Sequence, residues 1–245
     1  MKLNETFIHP EWPAPANVRA AQTTRLGGIS AAPYDTLNLG LHVGDDPVRV
    51  NRNRQSLAPF MPSEPVWLEQ VHGTVVANAD AAACRVQADA CIARQRGSVC
   101  VVMTADCLPV LLCDDAGSVV GAAHAGWKGL AAGVVEATVK EMGVAPQKLM
   151  AWMGPAIGPH AFEVGGEVRE TFMAHDAKAA EAFAPHGDQG KYHADIYMLA
   201  RQRLEALGIT RIYGGTYCTY HQKDKFFSYR RDGVTGRMGT FIWLA

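Results

Sequence analysis

Two histidines and one cysteine stand at breaks in a largely apolar chain: His72 in Gln70-Val71-His72-Gly73, Cys107 in Ala105-Asp106-Cys107-Leu108-Pro109, and His124 in Ala123-His124-Ala125-Gly126-Trp127. Two imidazoles and a thiolate match the preferences of Zn²⁺. Three protein ligands leave a fourth position open, which is the catalytic rather than the structural pattern. A water in that position has its pKa lowered to about 7 and becomes a usable nucleophile. The spacing alone is unspecific: there is neither a CxxC nor an HExxH, so packing or surface roles for these residues stay open.

Other polar groups cluster around the three. Asp106 precedes Cys107 and reads either as an acid/base group beside a metal or as a turn-capping carboxylate. Lys128 falls in the first turn of a helix that starts near Gly126, where free N–H groups favour an anion; as a lone residue it is also an ordinary solvated lysine. Arg25, in Thr24-Arg25-Leu26-Gly27-Gly28, and Arg230, in Tyr229-Arg230-Arg231-Asp232-Gly233, offer guanidinium forks for phosphate or carboxylate; Arg231 reads as hairpin chemistry. Asn38-Leu39-Gly40 with Gly44-Asp45-Asp46-Pro47 is a polar turn region that lines a pocket or is only a turn. Cys84, Cys91, Cys100 and Cys113 read as packing residues, and the other histidines as surface or loop residues.

Several elements must position these groups. Pro65–Val76 reads as a strand containing His72, and Ser98–Met103, Leu108–Cys113 and Val119–Ala123 as short buried strands. Asp114-Asp115-Ala116-Gly117 is a turn, so Cys107 and His124 flank a hairpin. Leu130, Val134, Val135, Thr138 and Met142 recur at helical spacing and predict one helix over Trp127–Met142, closed by Gly143. Leu149–Met153 reads as a strand, followed by a Gly/Pro-rich loop. Asp195 caps a second helix to Leu207, ended by Gly208. Arg211–Cys218, Lys225–Tyr229 and Met238–Leu244 read as strands. The class is α+β, a single domain over residues 1–245 with mixed sheets flanked by helices, after an extended lead-in at 1–17.

Bulk properties exclude several functions. The 245 residues are 48% hydrophobic and 19% charged, enough apolar material for a core. A net charge of -1 without basic blocks gives no case for nucleic acid or an anionic membrane surface. No stretch approaches the roughly 20 apolar residues of a membrane span. Six sparse cysteines and no signal-peptide pattern suit a cytoplasmic protein with reduced thiols.

Taken in order, Gln70-Val71-His72-Gly73, Ala105-Asp106-Cys107-Leu108-Pro109-Val110, His124-Ala125-Gly126-Trp127-Lys128-Gly129 and Phe227-Ser228-Tyr229-Arg230-Arg231-Asp232-Gly233 resemble the YfiH/YlmD family, whose members carry laccase-domain, polyphenol oxidase and purine nucleoside phosphorylase labels. The resemblance runs from about Arg25 to Leu244. It implies one zinc on His72, Cys107 and His124, and a compact α/β fold with mixed sheets. It also implies purine nucleoside chemistry: phosphorolysis of adenosine, inosine, guanosine or methylthioadenosine, and deamination of adenosine. Phosphate would then fall to Arg25, Lys128 and Arg230, and proton transfer to Asp106. The family more often has Arg where this chain has Lys128, which keeps the charge and loses the fork.

Three rivals use the same residues. A copper-dependent phenol oxidase accepts His and Cys ligands, but a multicopper site needs many closely spaced histidines and the chain has no His-x-His. A metal-free thiol hydrolase would use Cys107 as nucleophile and His124 as base. A non-enzymatic binding module would use zinc only for stability.

Overall fold

The computed structural model describes residues 3–81, 86–187 and 190–245, with the side chains of 3 and 4 excepted; Cys84 lies outside the described residues. Two sheets stack at its centre. One has six strands in the order Ile212–Gly214, Leu149–Met153, Leu108–Asp114, Val120–Ala125, Ala90–Ala93 and Val76–Asn78. Its inner pairs are antiparallel and its two edge pairs parallel, so it is mixed. The other is antiparallel, in the order Phe7–Ile8, Val18–Thr23, Met238–Leu244 and Val99–Thr104. A small sheet of Glu163–Gly165, Lys191–Ala194 and Phe183–Pro185 and a parallel pair of Leu68–Glu69 with Val86–Gln87 complete the β structure.

The strand Leu108–Asp114 shows why the apolar runs are continuous. Successive side chains point to opposite faces of a sheet. Leu108, Val110 and Leu112 belong to the core shared with Leu130, Val134, Val135, Leu199 and Leu204 of the covering helices. Leu111 and Cys113 belong to the core shared with Cys100, Val102 and Ile242 of the second sheet. Both faces are covered, so every position of the strand is buried and no alternation remains. The second sheet turns Val101, Met103 and Phe241 toward Leu37, Leu39, Leu57 and Trp67. The expected mixed α/β domain with flanking helices is the one found.

Several elements depart from expectation. The lead-in is not wholly extended: Leu3–Thr6 form a helical turn and Phe7–Ile8 pair with Val18–Thr23. The predicted helix at Trp127–Met142 is two helices, Trp127–Ala132 and Val134–Met142. Gly133 separates them at φ 99°, a left-handed conformation that ends one helix, with its N–H on Gly129 O and Leu130 O. Arg211–Cys218 pairs only over Ile212–Gly214. Lys225–Tyr229 is no strand: the Ser228 hydroxyl accepts from Arg231 N and caps a helical turn, Tyr229–Asp232. Capping chemistry outweighed the aromatic content that suggested a strand.

Candidate metal centre and adjoining cleft

Antiparallel pairing brings two ligands together. Leu108 faces Ala125 and Pro109 faces His124, so Cys107, one residue before its strand, comes up beside the end of the partner. His72 reaches the same point from a loop. The predicted strand Pro65–Val76 is interrupted, with Leu68–Glu69 and Val76–Asn78 as its regular parts. His72 itself adopts φ 62°, and Asp106 φ 89°. Positive φ is costly for residues with a Cβ and concentrates where a site requires it. The ligand atoms of His72, Cys107 and His124 lie within 4.8 Å of one another, with Cys107 Sγ 3.8 Å from His72 Nε2. Among the described residues this is the group of His, Cys, Asp and Glu side chains able to hold a metal ion. One imidazole is exposed, the thiol is half-buried and the other imidazole is buried.

Sequence reading missed the residue that organises the centre. Asp89 is fully buried, and its Oδ1 accepts from His72 N at 2.9 Å and from His124 Nδ1 at 2.8 Å. Its Oδ2 accepts from Val71 N at 3.1 Å and Gly73 N at 2.7 Å. One carboxylate thus folds the His72 loop and fixes the His124 tautomer, leaving His124 Nε2 as the ligand atom. Burial works to raise the Asp89 carboxyl; the His124 hydrogen bond and the N–H groups of Gly73 and Val71 prevail and hold it below its ordinary range. The available signal was a lone carboxylate inside Ala88-Asp89-Ala90-Cys91-Ile92-Ala93.

The glycines of His124-Ala125-Gly126-Trp127-Lys128-Gly129 have a steric cause. A Cβ on Gly126 would lie 2.9 Å from both Cys107 Sγ and His72 Cδ2. A Cβ on Gly129 would lie 3.1 Å from Gly73 O. Both positions admit the His72 loop. Burial pushes the Cys107 thiol up, but the His124 and His72 imidazoles outweigh it and bring it down to about 6. Burial lowers His124, and the Cys107 thiolate and Asp89 overcome it, raising the imidazole to about 9. The metal-free pair is a thiolate facing an imidazolium, and a divalent cation in place of that proton suits the same donors.

A cleft opens from Cys107. It is lined by Ala105, Asp106, Trp127, Ile157, Phe162, Ile196, Tyr229 and Arg230 besides Cys107 itself, so a potential ligand atom sits in an apolar, aromatic wall. Asp106 Oδ1 accepts from Thr219 Oγ1 at 2.5 Å and Oδ2 from Arg230 N at 2.6 Å, tying the Cys107 turn to the C-terminal loops. Arg230 donates Nη1 to Glu163 O at 2.8 Å and lies over Phe162. Lys128 is exposed, with its ammonium 5.7 Å from the Trp127 ring, at the start of a six-residue helix. Arg25 stands apart: its fork holds Asp35 O, Asp35 Oδ2 and Lys223 O and stacks on Phe227. Arg231 likewise holds the carbonyls of Thr219, Tyr220 and Phe226 and the Asp232 carboxylate. The structure therefore places Asp106 and Arg230 in the cleft wall, leaves Lys128 exposed beside Trp127 outside that wall, and commits Arg25 to loop bracing. Cys91, Cys100 and Cys113 are free, buried packing thiols.

Fold and site together define a single-domain α/β protein with a His–Cys–His group able to hold one metal ion beside an aromatic cleft. The chain belongs to the family described as multi-copper polyphenol oxidoreductase laccase, whose match covers residues 19–245. It is 58% identical over 241 residues to an Escherichia coli (strain K12) protein named purine nucleoside phosphorylase YfiH, covering 97% of this chain and 98% of the relative. A Pseudomonas aeruginosa purine nucleoside phosphorylase is 53% identical over 238 residues, with 97% and 98% covered. Among solved structures, a Neisseria meningitidis protein superposes with a TM-score of 0.93 at 50% identity, over 98% of this chain and 99% of that one. YlmD from Geobacillus stearothermophilus superposes at 0.85 with 31% identity, over 98% and 96%. No helix among the described residues is long and apolar enough to cross a membrane.

Proposed function

We propose that the protein is a zinc-dependent purine nucleoside phosphorylase acting on adenosine, inosine, guanosine and methylthioadenosine in the cytoplasm, and that it also deaminates adenosine. The observation that carries this reading is the placement of Cys107, one of three metal-capable side chains, in the wall of an aromatic cleft. The names of the relatives supply the substrate class. Two imidazoles and a thiolate in one group fit a single zinc better than the several coppers of a multicopper oxidase. Zinc held by His72, Cys107 and His124 would supply a Lewis acid there.

The protein's own residues do the rest. Trp127, Phe162 and Tyr229 offer faces on which a purine stacks. In phosphorolysis a phosphate oxygen bonds to C1′ as the C1′–N9 bond breaks, N9 takes the electron pair, and the departing purine takes a proton. Asp106, the carboxylate among the cleft-lining residues, is the candidate for proton transfer, with Thr219 and Arg230 N holding its geometry. Arg230 places positive charge in the cleft wall, and Lys128 lies beyond Trp127 at its rim, where ribose hydroxyls and phosphate require donors. The His72–Cys107–His124 group beside the cleft supports the second reaction, in which water adds at C6 of adenine and ammonia leaves.

The test is chromatography of adenosine incubated with the zinc-loaded protein, with and without phosphate, beside a His72→Ala control. Adenine formed only with phosphate is the expected phosphorolysis, and inosine in either buffer the expected deamination. Adenosine left intact in every wild-type tube would overturn the proposal.

A further inference from the structure

Arg237, just before the strand Met238–Leu244, is held at every point except the one that could bind a ligand. Its N donates to Asn38 Oδ1 at 2.9 Å and its O accepts from Leu39 N at 3.0 Å. Its stem lies against Gly40, where an added Cβ would come within 2.9 Å of Arg237 Cγ. Nη1 donates to Thr235 O and Gly236 O, both at 3.0 Å, and the guanidinium lies 5.9 Å from the Tyr229 ring centre, a residue of the cleft wall. Nε and Nη2 have no protein acceptor among the described residues. Half-buried Arg25 and Arg231 and buried Arg203 pair with Asp35, Asp232 and Glu136; Arg237 has no such carboxylate.

The surroundings carry the same sign. Burial prevails and holds Arg237 below its ordinary value, the negative groups of Cys107, Asp106 and Tyr229 offsetting only part of it. His42, on the loop that Asn38 clamps, feels burial first and then Arg237, Arg54 and His124, all of which hold its imidazole below the ordinary range. Two buried hydroxyls without a hydrogen-bond partner belong to the same stretch: Thr235, whose carbonyl holds Arg237, and Thr104, the register partner of Met238.

We propose that Arg237 is the phosphate-binding group of this site, its free fork edge taking two oxygens of inorganic phosphate beside Tyr229 of the cleft wall. Phosphate as the occupant rests on the phosphorolysis reading; the need for an oxyanion rests on the unpaired fork. A partly desolvated guanidinium without a counter-ion is costly, and an oxyanion matched to its planar edge removes that cost. A cation bound at Cys107 takes up the thiolate charge and leaves Arg237 still more in need of an anion. Arg230 and Lys128 then serve the nucleoside side of the cleft.

Two readouts on the zinc-loaded protein test this. One is the phosphate dependence of phosphorolysis at saturating adenosine; the other is the rise in melting temperature on adding inorganic phosphate to the resting protein. Loss of a bidentate charge-assisted contact in Arg237→Gln should raise the KM for phosphate about 10- to 100-fold, well beyond any change in the KM for adenosine. The same variant should lose the phosphate-induced rise in melting temperature. Arg237→Lys should fall between wild type and Arg237→Gln. If Arg237→Gln does not fold, Arg237→Lys carries both comparisons. A wild-type phosphate KM in the variants, or a fall in kcat alone, overturns the proposal and leaves phosphorolysis standing. If the wild-type protein forms no ribose 1-phosphate, the function reading fails, and the melting shift still decides: present in wild type and lost in Arg237→Gln, it supports the anion site; absent in wild type or equal in both, it refutes it.

Discussion

Replacing Asp89 by asparagine keeps the shape of the side chain and removes half of its acceptor capacity. Each carboxylate oxygen now accepts two donors: His72 N and His124 Nδ1 on Oδ1, Val71 N and Gly73 N on Oδ2. Whichever way the amide turns, its NH₂ faces two N–H groups, so at least two hydrogen bonds are lost. Hydrogen bonds to a charged group contribute about 1.5–3 kcal/mol each, so the lower bound is about 3 kcal/mol. For a chain of 150–250 residues that corresponds to a melting temperature lower by about 6–12 °C. Metal retention should fall as well, since the His72 loop and the His124 tautomer lose their common anchor; removal of such outer partners typically costs about 10- to 100-fold in affinity. The assay is metal content after dialysis against graded chelator, read beside thermal unfolding of the same samples. Asp89→Asn protein that keeps its zinc at wild-type chelator concentrations and melts with the wild type would refute the reasoning.

Other perturbations separate the centre from its scaffold. Gly126→Ala should abolish metal retention while far-ultraviolet circular dichroism stays unchanged, because the new methyl would lie 2.9 Å from Cys107 Sγ and His72 Cδ2. Chelator-stripped protein should be alkylated at Cys107 by iodoacetamide at a rate that falls only below a pH of about 6, and zinc-loaded protein should resist; a midpoint at the ordinary thiol range would contradict the thiolate–imidazolium pair. Asp114→Ala should destabilise by about 2–4 kcal/mol in urea unfolding at neutral pH, since the carboxylate accepts from Ser118 N, Ser118 Oγ and Val119 N in the hairpin turn. Burial alone would raise Asp114, but these bonds hold it below its ordinary range. Its stabilisation is therefore complete above about pH 4, the unfolded value, and is lost as the pH falls through the folded one, so the mutant and wild type converge in acid.

The ligands were legible because chemistry restricts their types and because Gly73, Pro109 and Gly126 stand close beside them. The buried strands were legible from length and apolar content. What escaped was long-range. Asp89 lies 17 residues from His72 and 35 from His124, so no local pattern links it to either. Arg237 belongs with Asn38 across 199 residues, and by type it resembled the fully occupied Arg231 beside it. The break at Gly133 was hidden because the apolar stripe continues across it; a left-handed residue costs glycine nothing and leaves the periodicity intact. The supposed strand at Lys225–Tyr229 was overruled by a single serine hydroxyl.

The order of the antiparallel sheet bears on synthesis. Met238–Leu244 lies between Val18–Thr23 and Val99–Thr104, so a strand made late by the ribosome is the partner on which two earlier ones depend. Until it emerges, both wait with an open edge each. A chain halted short of residue 238 holds every metal ligand and every residue of the cleft wall, and still cannot complete the sheet beneath them. Translation to the far strand thus acts as a checkpoint, and truncated products are left with exposed edges for proteases and chaperones to act on.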